Sequence, residues 1–249
     1  LMGKKMDPFS LVSHDLVEKF RNISNATVLG LLLKLGYNKT YMEGVNSLHS
    51  GRRLCGPAVT LRYLPSRPDL QDYIAKGEHG EGFNETPRWD ALETLSRGSV
   101  LVADAMGLKR TSIGGDVVFS RILTREGEGL VTDGAVRDGH KVIKYGYPVF
   151  AGGSTPTVGE PNILPYEVNG PIQCGGVLVW PGDLILGDDD GVVVLPSGMA
   201  EDIYSDCLKH DEIEKAIIDY TQRKKISPKK FYPFNDETTK MFSKWTKGE

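Results

Sequence analysis

Residues 113–138 read IGGDVVFSRILTREGEGLVTDGAVRD, opening on Gly114-Gly115-Asp116 and closing on Asp133-Gly134-Ala135-Val136-Arg137-Asp138. The apolar run Val100-Leu101-Val102-Ala103 precedes it and predicts a buried strand that stops at Asp104. After Asp116, the apolar residues Val117, Val118, Ile122 and Leu123 recur at helical spacing, with Arg121, Arg125 and Glu126 opposite and Gly127 and Gly129 ending the helix. Leu130-Val131-Thr132 predicts a short second strand, stopped by an Asp133-Gly134 turn. Strand, glycine turn, helix and strand in that order predict a parallel pair with a right-handed crossover.

Such a unit predicts a site. A helix start carries backbone N–H groups with no partner inside the helix, and glycines ahead of it let a ligand approach. Gly115 and the N–H groups of Val117 and Val118 are therefore the candidate cradle for a small carboxylate or phosphate. The crossover brings the end of the second strand beside the end of the first, so Arg137 and Asp138 reach the same crevice. Arg137 offers a planar fork for a carboxylate. Asp138 offers hard oxygen for a divalent cation such as Mg2+. Taken singly, Asp116 also suits a helix N-terminal carboxylate favoured by the dipole, and Arg137-Asp138 suits a surface ion pair. The ordered set is what carries the functional reading.

Asp116, twenty intervening residues and then Arg137-Asp138 resembles the D-x20-R-D signature of class II pyruvate aldolases in the RraA-like family, which includes 4-hydroxy-4-methyl-2-oxoglutarate aldolases and ribonuclease E regulators. The resemblance runs from about Ser24 to Pro196. It is strongest from Val100 onward, where Pro148-Val149-Phe150-Ala151, Gly175-Gly176-Val177, Pro181-Gly182-Asp183 and Asp190-Gly191-Val192-Val193 also match. It implies a single swivelling β/β/α domain of α/β class with flanking N- and C-terminal helices, assembled as a homotrimer or hexamer with sites at subunit boundaries. It also implies that Arg137 contacts substrate and Asp138 serves the metal. In the aldolases a glutamate from an adjacent subunit supports the metal, and no residue of this chain is matched to it.

A 249-residue chain with 39% hydrophobic and 25% charged residues has the make-up of a globular protein with an ordinary core. Its formal net charge of −3 argues against a general nucleic-acid binder. No apolar run approaches the roughly 20 residues that span a bilayer, and Leu1–Met6 lacks the apolar centre of a signal peptide. Three cysteines without CxxC spacing fit a reducing, cytoplasmic compartment and no structural zinc. The five histidines show no paired-ligand spacing. A hard cation on carboxylates, Mg2+ or Mn2+, stays open.

Along the chain, helices are expected in two pieces between Ser10 and Gly36, and a polar irregular stretch over Tyr37–Arg53. Further expectations are a strand over Gly56–Tyr63, a short helix over Trp89–Leu95 and another, or a turn, over Val142–Tyr145. Pro65–Pro87 is long for a structureless connection and reads as a flexible loop, either a lid or an insertion. Glu78, His79 and Glu81 within it are weaker candidates for a ligand or base. Pro148–Ala151 predicts a strand, and Gly152–Pro171 an irregular segment punctuated by proline and glycine. Gly176–Trp180, Leu184–Leu186 and Val192–Leu195 predict short strands, the last two joined by the Asp188-Asp189-Asp190-Gly191 turn. Glu201–Arg223 predicts an amphipathic helix. Residues 10–224 are read as one domain, and residues 225–249 as a C-terminal extension that packs on the body or on another subunit.

The chemistry this predicts is cleavage of a 4-hydroxy-2-oxo acid to pyruvate. The substrate carboxylate meets the Val117 and Val118 N–H groups, Arg137 binds the oxo or carboxylate oxygens, and a cation on Asp138 polarises the 2-oxo group. Asp116 is the catalytic carboxylate, holding a water that moves protons. The same enolate arises when oxaloacetate loses carbon dioxide, so decarboxylation is an expected companion activity. Two other readings stand beside it. One is a non-catalytic regulator that docks on a protein, as the ribonuclease E inhibitors do. The other is a sugar-acid dehydratase using the same enolate site.

Overall fold

The computed structural model describes residues 11–67, 87–159 and 162–247. In chain order the elements are α1 (His14–Phe20), α2 (Asn25–Lys34), β1 (Asn46–Ser47), β2 (Leu54–Pro65), α3 (Pro87–Thr94), β3 (Val100–Asp104), α4 (Asp116–Thr124) and β4 (Gly129–Val136). There follow α5 (Gly139–Tyr145), β5 (Val149–Ser154), β6 (Ile163–Val168), β7 (Ile172–Cys174), β8 (Val177–Val179), β9 (Leu184–Asp188), β10 (Gly191–Leu195), α6 (Ala200–Lys224) and α7 (Asp236–Trp245). The chain divides into two compact units, Leu1–Glu201 and Asp202–Glu249. Among the described residues no helix is long and apolar enough to cross a membrane.

The first unit is a mixed α/β fold built on a sheet of order β1-β5-β4-β3-β2-β9-β10, with β6 also on β2. Strands β2, β3, β4 and β5 are parallel to one another. The long β2 pairs antiparallel with β9 through Leu54–Pro57 and with β6 through Leu61–Pro65. Strand β3 is buried along its whole length, which is why its sequence is an unbroken apolar run. Its side chains still alternate. Leu101 and Ala103 join a core with Leu92, Phe119 and Ile122, whereas Val100 and Val102 join one with Leu54, Phe150, Ile185 and Val194.

Three stretches depart from the sequence expectations. Asp133-Gly134 is not a turn. Strand β4 runs through it to Val136, with the β4–β5 register slipping between Thr132 and Ala135. The carboxylate that would cap a turn is instead buried, accepting from the Ala105 N–H at 2.8 Å and the Gln173 side chain at 2.7 Å. Tyr37–Arg53 is irregular and mostly exposed, as expected, but it also carries sheet pairings that were not. Tyr41 bridges Val193 on β10, and five residues later Asn46 pairs with Ala151 on β5, so this stretch ties the two ends of the sheet and nearly closes it. Within Gly152–Pro171 lies a strand, β6, and the β7–β8 hairpin begins directly after it. The Asp188–Gly191 turn between β9 and β10 is as expected.

In the second unit, Ala216, Ile217, Phe231 and Met241 form a small core. Helix α7 starts on a capping box in which the Asn235 side chain accepts from the Glu237 and Thr238 N–H groups, and Thr238 Oγ1 accepts from the Asn235 N–H.

Candidate functional site

Strands β3 and β4 are parallel neighbours, so their C-terminal ends lie side by side. The chain leaving β3 returns along the end of β4: Ser112 pairs with Ala135, and the Ile113 N–H donates to the Ala135 carbonyl at 2.9 Å. The Arg137 N–H then donates to the Gly114 carbonyl at 3.0 Å. These backbone bonds hold the glycine turn against Arg137 and Asp138. A Cβ on Gly115 would lie 2.5 Å from Arg137 Cγ and 2.5 Å from Asp138 Oδ2, so only glycine allows this approach.

Helix α4 begins at this contact. Its first turn closes with the Phe119 N–H donating to the Gly115 carbonyl at 3.0 Å, leaving the N–H groups of Asp116, Val117 and Val118 without helical partners. The Asp116 N–H donates to Asp138 Oδ2 at 3.3 Å. The cradle is therefore partly filled by the protein's own carboxylate, and the Val117 and Val118 N–H groups are the part left for a ligand. Gly115, Val117, Val118 and Arg137 line a cleft of about 440 Å³ together with Arg88 and Trp89 of α3. Arg137 and Asp138 also line a second cleft, of about 790 Å³, with His140 and Ser154. Arg137 is half-exposed between the two, its Nε 3.7 Å from Asp138 Oδ2.

Asp138 takes left-handed backbone angles (φ 57°, ψ 25°) where the chain turns from β4 into α5. A non-glycine residue there costs about 1–3 kcal/mol, strain that clusters at functional sites. Its side chain caps no N–H of α5. Asp116 is more heavily engaged: one oxygen accepts from the Tyr145 hydroxyl, the other from Lys141 Nζ at 2.9 Å. Tyr145 and Lys141 hold the Asp116 carboxyl below the usual aspartate range, and Asp116 raises both of theirs. Lys141 Nζ also stands 3.9 Å from Asp138 Oδ1, so one ammonium lies between the two carboxylates.

The six residues named from the sequence, Gly115, Asp116, Val117, Val118, Arg137 and Asp138, thus meet around this one contact, divided between the two clefts that Arg137 separates. Lys141 and Tyr145 were missed, although their spacing of three and seven residues after Asp138 puts both on one face of α5. Glu78, His79 and Glu81 lie outside the described residues. Among the described residues no three His, Cys, Asp or Glu side chains gather as a metal site. One aspartate that caps nothing in its own helix and lines an open, polar cleft fits Mg2+, which keeps several waters and needs one or two carboxylates, and does not fit zinc.

A nearly closed mixed sheet with a charged crevice at the ends of its parallel strands defines the class of α/β protein. The chain belongs to the RraA-like family, whose model, described as Aldolase/RraA, matches residues 15–194. It is 37% identical over 202 residues to a Halalkalibacterium halodurans protein named "Putative 4-hydroxy-4-methyl-2-oxoglutarate aldolase", covering 81% of this chain and 86% of that one. It also resembles the crystal structure of Streptomyces coelicolor RraAS2, titled an unusual member of the RNase ES inhibitor RraA protein family. There the TM-score is 0.73 at 32% identity, over 84% of this chain and 98% of that one. An uncharacterized Pseudomonas syringae protein shares the fold, with a TM-score of 0.75 at 22% identity over 89% and 98% of the two chains.

Proposed function

We propose that this chain is a divalent-metal-dependent lyase that cleaves a 4-hydroxy-2-oxo acid to pyruvate, with oxaloacetate decarboxylation as a companion activity. The observation that carries the reading is the contact at Gly115, which pins Arg137 and Asp138 against the open first turn of α4. A surface used only for docking has no need of that packing. The aldolase name of the Halalkalibacterium relative supports the same reading.

In this proposal the substrate carboxylate accepts from the Val117 and Val118 N–H groups, and the Arg137 guanidinium binds the 2-oxo oxygen. Asp138 would hold Mg2+ or Mn2+, which when bound supplies Lewis acidity toward the 2-oxo group. The C4 hydroxyl loses its proton and becomes a carbonyl, the C3–C4 bond breaks, and its electron pair passes through C3 to the C2 oxygen. Arg137 stabilises the negative charge arriving on that oxygen. The proton released by the C4 hydroxyl balances the one added at C3 to complete pyruvate, both passing through water that Asp116 would orient. Asp116, held deprotonated by Lys141 and Tyr145, acts as an acceptor that orients the proton-carrying groups; its low proton affinity makes it a weak base. The proposal includes a homotrimer or hexamer that shares sites at subunit boundaries, and a cytoplasmic location, which the three free, buried thiols support.

Pyruvate release from 4-hydroxy-4-methyl-2-oxoglutarate and from oxaloacetate, each with Mg2+, Mn2+ or EDTA, is the test. Metal-dependent pyruvate is expected from at least one, and Arg137→Ala should lower the rate by about 10²–10³-fold without unfolding the protein. No pyruvate from either, with the metals supplied, would sink the lyase reading and favour a docking role.

A further inference from the structure

The second compact unit lies beyond the residues matched by the family model, and its charge is strongly divided. Residues 202–222 carry two Lys/Arg against six Asp/Glu, whereas residues 223–247 carry eight against two. The positive half gathers around a cleft of about 660 Å³ formed within this unit. Arg223 and Lys224 enter it from the last turn of α6, Lys230 from the turn before α7, and Lys240 and Lys244 from α7. Glu237 is the carboxylate in the lining.

The ion pairs show how much of this charge is compensated. Glu237 is shared between Lys230 and Lys240, at 3.0 Å from each, and Asp219 pairs with Arg223 at 3.2 Å. Among the described residues Lys224 and Lys244 have no acidic partner. Five cations against two carboxylates leave an excess of three positive charges on one concavity. The C-terminal end of α6 adds partial negative charge, which Arg223 and Lys224 of its last turn more than offset. Phe231 and Met241, both part of the unit's small core, underlie the cleft. An apolar floor excludes water beneath the charges and strengthens their field.

We infer that this cleft is a binding site for a compact, phosphate-bearing small molecule. Its size is that of a small-molecule pocket. Lysine ammonium groups are point charges on flexible stems, suited to phosphate oxygens rather than to one fixed planar carboxylate. An excess of three charges matches a multivalent anion. The cations converge on one concavity instead of tracking along a face, which favours a small ligand over a nucleic-acid strand.

The experiment is calorimetric titration of the full chain with inorganic triphosphate, in about 150 mM KCl with EDTA, where weak surface pairing is screened. Saturable binding at one site per chain is expected. Lys224→Glu/Lys244→Glu should weaken it at least about tenfold, and Arg137→Ala should leave it within about twofold. Should the charge reversal disturb folding, Lys224→Ala/Lys244→Ala, with an unchanged circular dichroism spectrum, should still show a several-fold loss. Three results would overturn the inference: no saturable heat, binding lost with Arg137 instead of the two lysines, or displacement of triphosphate by a far tighter 20-nucleotide oligouridylate.

Discussion

Gly115 carries the most weight of any single residue in the candidate site. Its missing Cβ allows Arg137 and Asp138 to lie against the start of α4. Gly115→Ala must displace both side chains, and displacements near 1 Å cost on the order of 100-fold in rate. Steady-state kinetics should show that loss with the fold retained; a wild-type kcat/KM would mean the contact plays no part in turnover. Lys141 gives a second prediction at this scale. Because Tyr145 and Lys141 depress the Asp116 pKa, their bonds stabilise the native state above the ordinary aspartate range, and that contribution is lost as pH falls through the depressed value. Lys141→Met should therefore move the Asp116 carboxyl upward in a carbon-13 NMR titration. Its stability deficit should be present at neutral pH and fade in acid. A deficit that stays constant down to pH about 2 would assign the effect to packing instead.

At the scale of elements, α2 is fastened to the β9–β10 hairpin by one buried side chain. Asn25 Nδ2 donates to the Leu186 carbonyl at 3.2 Å and to the Gly191 carbonyl at 3.1 Å. Asn25→Ala leaves buried carbonyls short of a donor and should cost about 1–3 kcal/mol in urea denaturation. A variant as stable as the parent would show that the helix is held by its apolar face alone. The helices and the parallel pair were legible from periodicity and glycine placement, because β3 and α4 satisfy their backbones locally or with the next element. Strand β6 was not. Its partner β2 lies about a hundred residues earlier, and its sequence, Ile163-Leu164-Pro165-Tyr166-Glu167-Val168, carries a proline that local rules read as a breaker. Asp133-Gly134 misled for a related reason. An Asp-Gly pair forms a turn when solvent or its own backbone satisfies the carboxylate, and here Ala105 and Gln173 do so inside the fold.

For the whole molecule, the proposed function predicts assembly. Light scattering after size exclusion should give three or six chain masses, and a monomer with full activity would remove the shared-site reading. By itself the chain determined its class, its parallel unit and the meeting of Gly115, Asp116, Arg137 and Asp138. These depend on periodicity and on a short crossover, which are local properties. Tertiary structure alone decided how the sheet nearly closes through Tyr41 and Asn46, and how β4 continues past Asp133. It also decided that Lys141 and Tyr145 occupy Asp116, and that the tail's lysines surround one cleft. Each of these is a pairing between groups distant in sequence or turned together by a helix, and its energy exists only once the chain has brought them into contact.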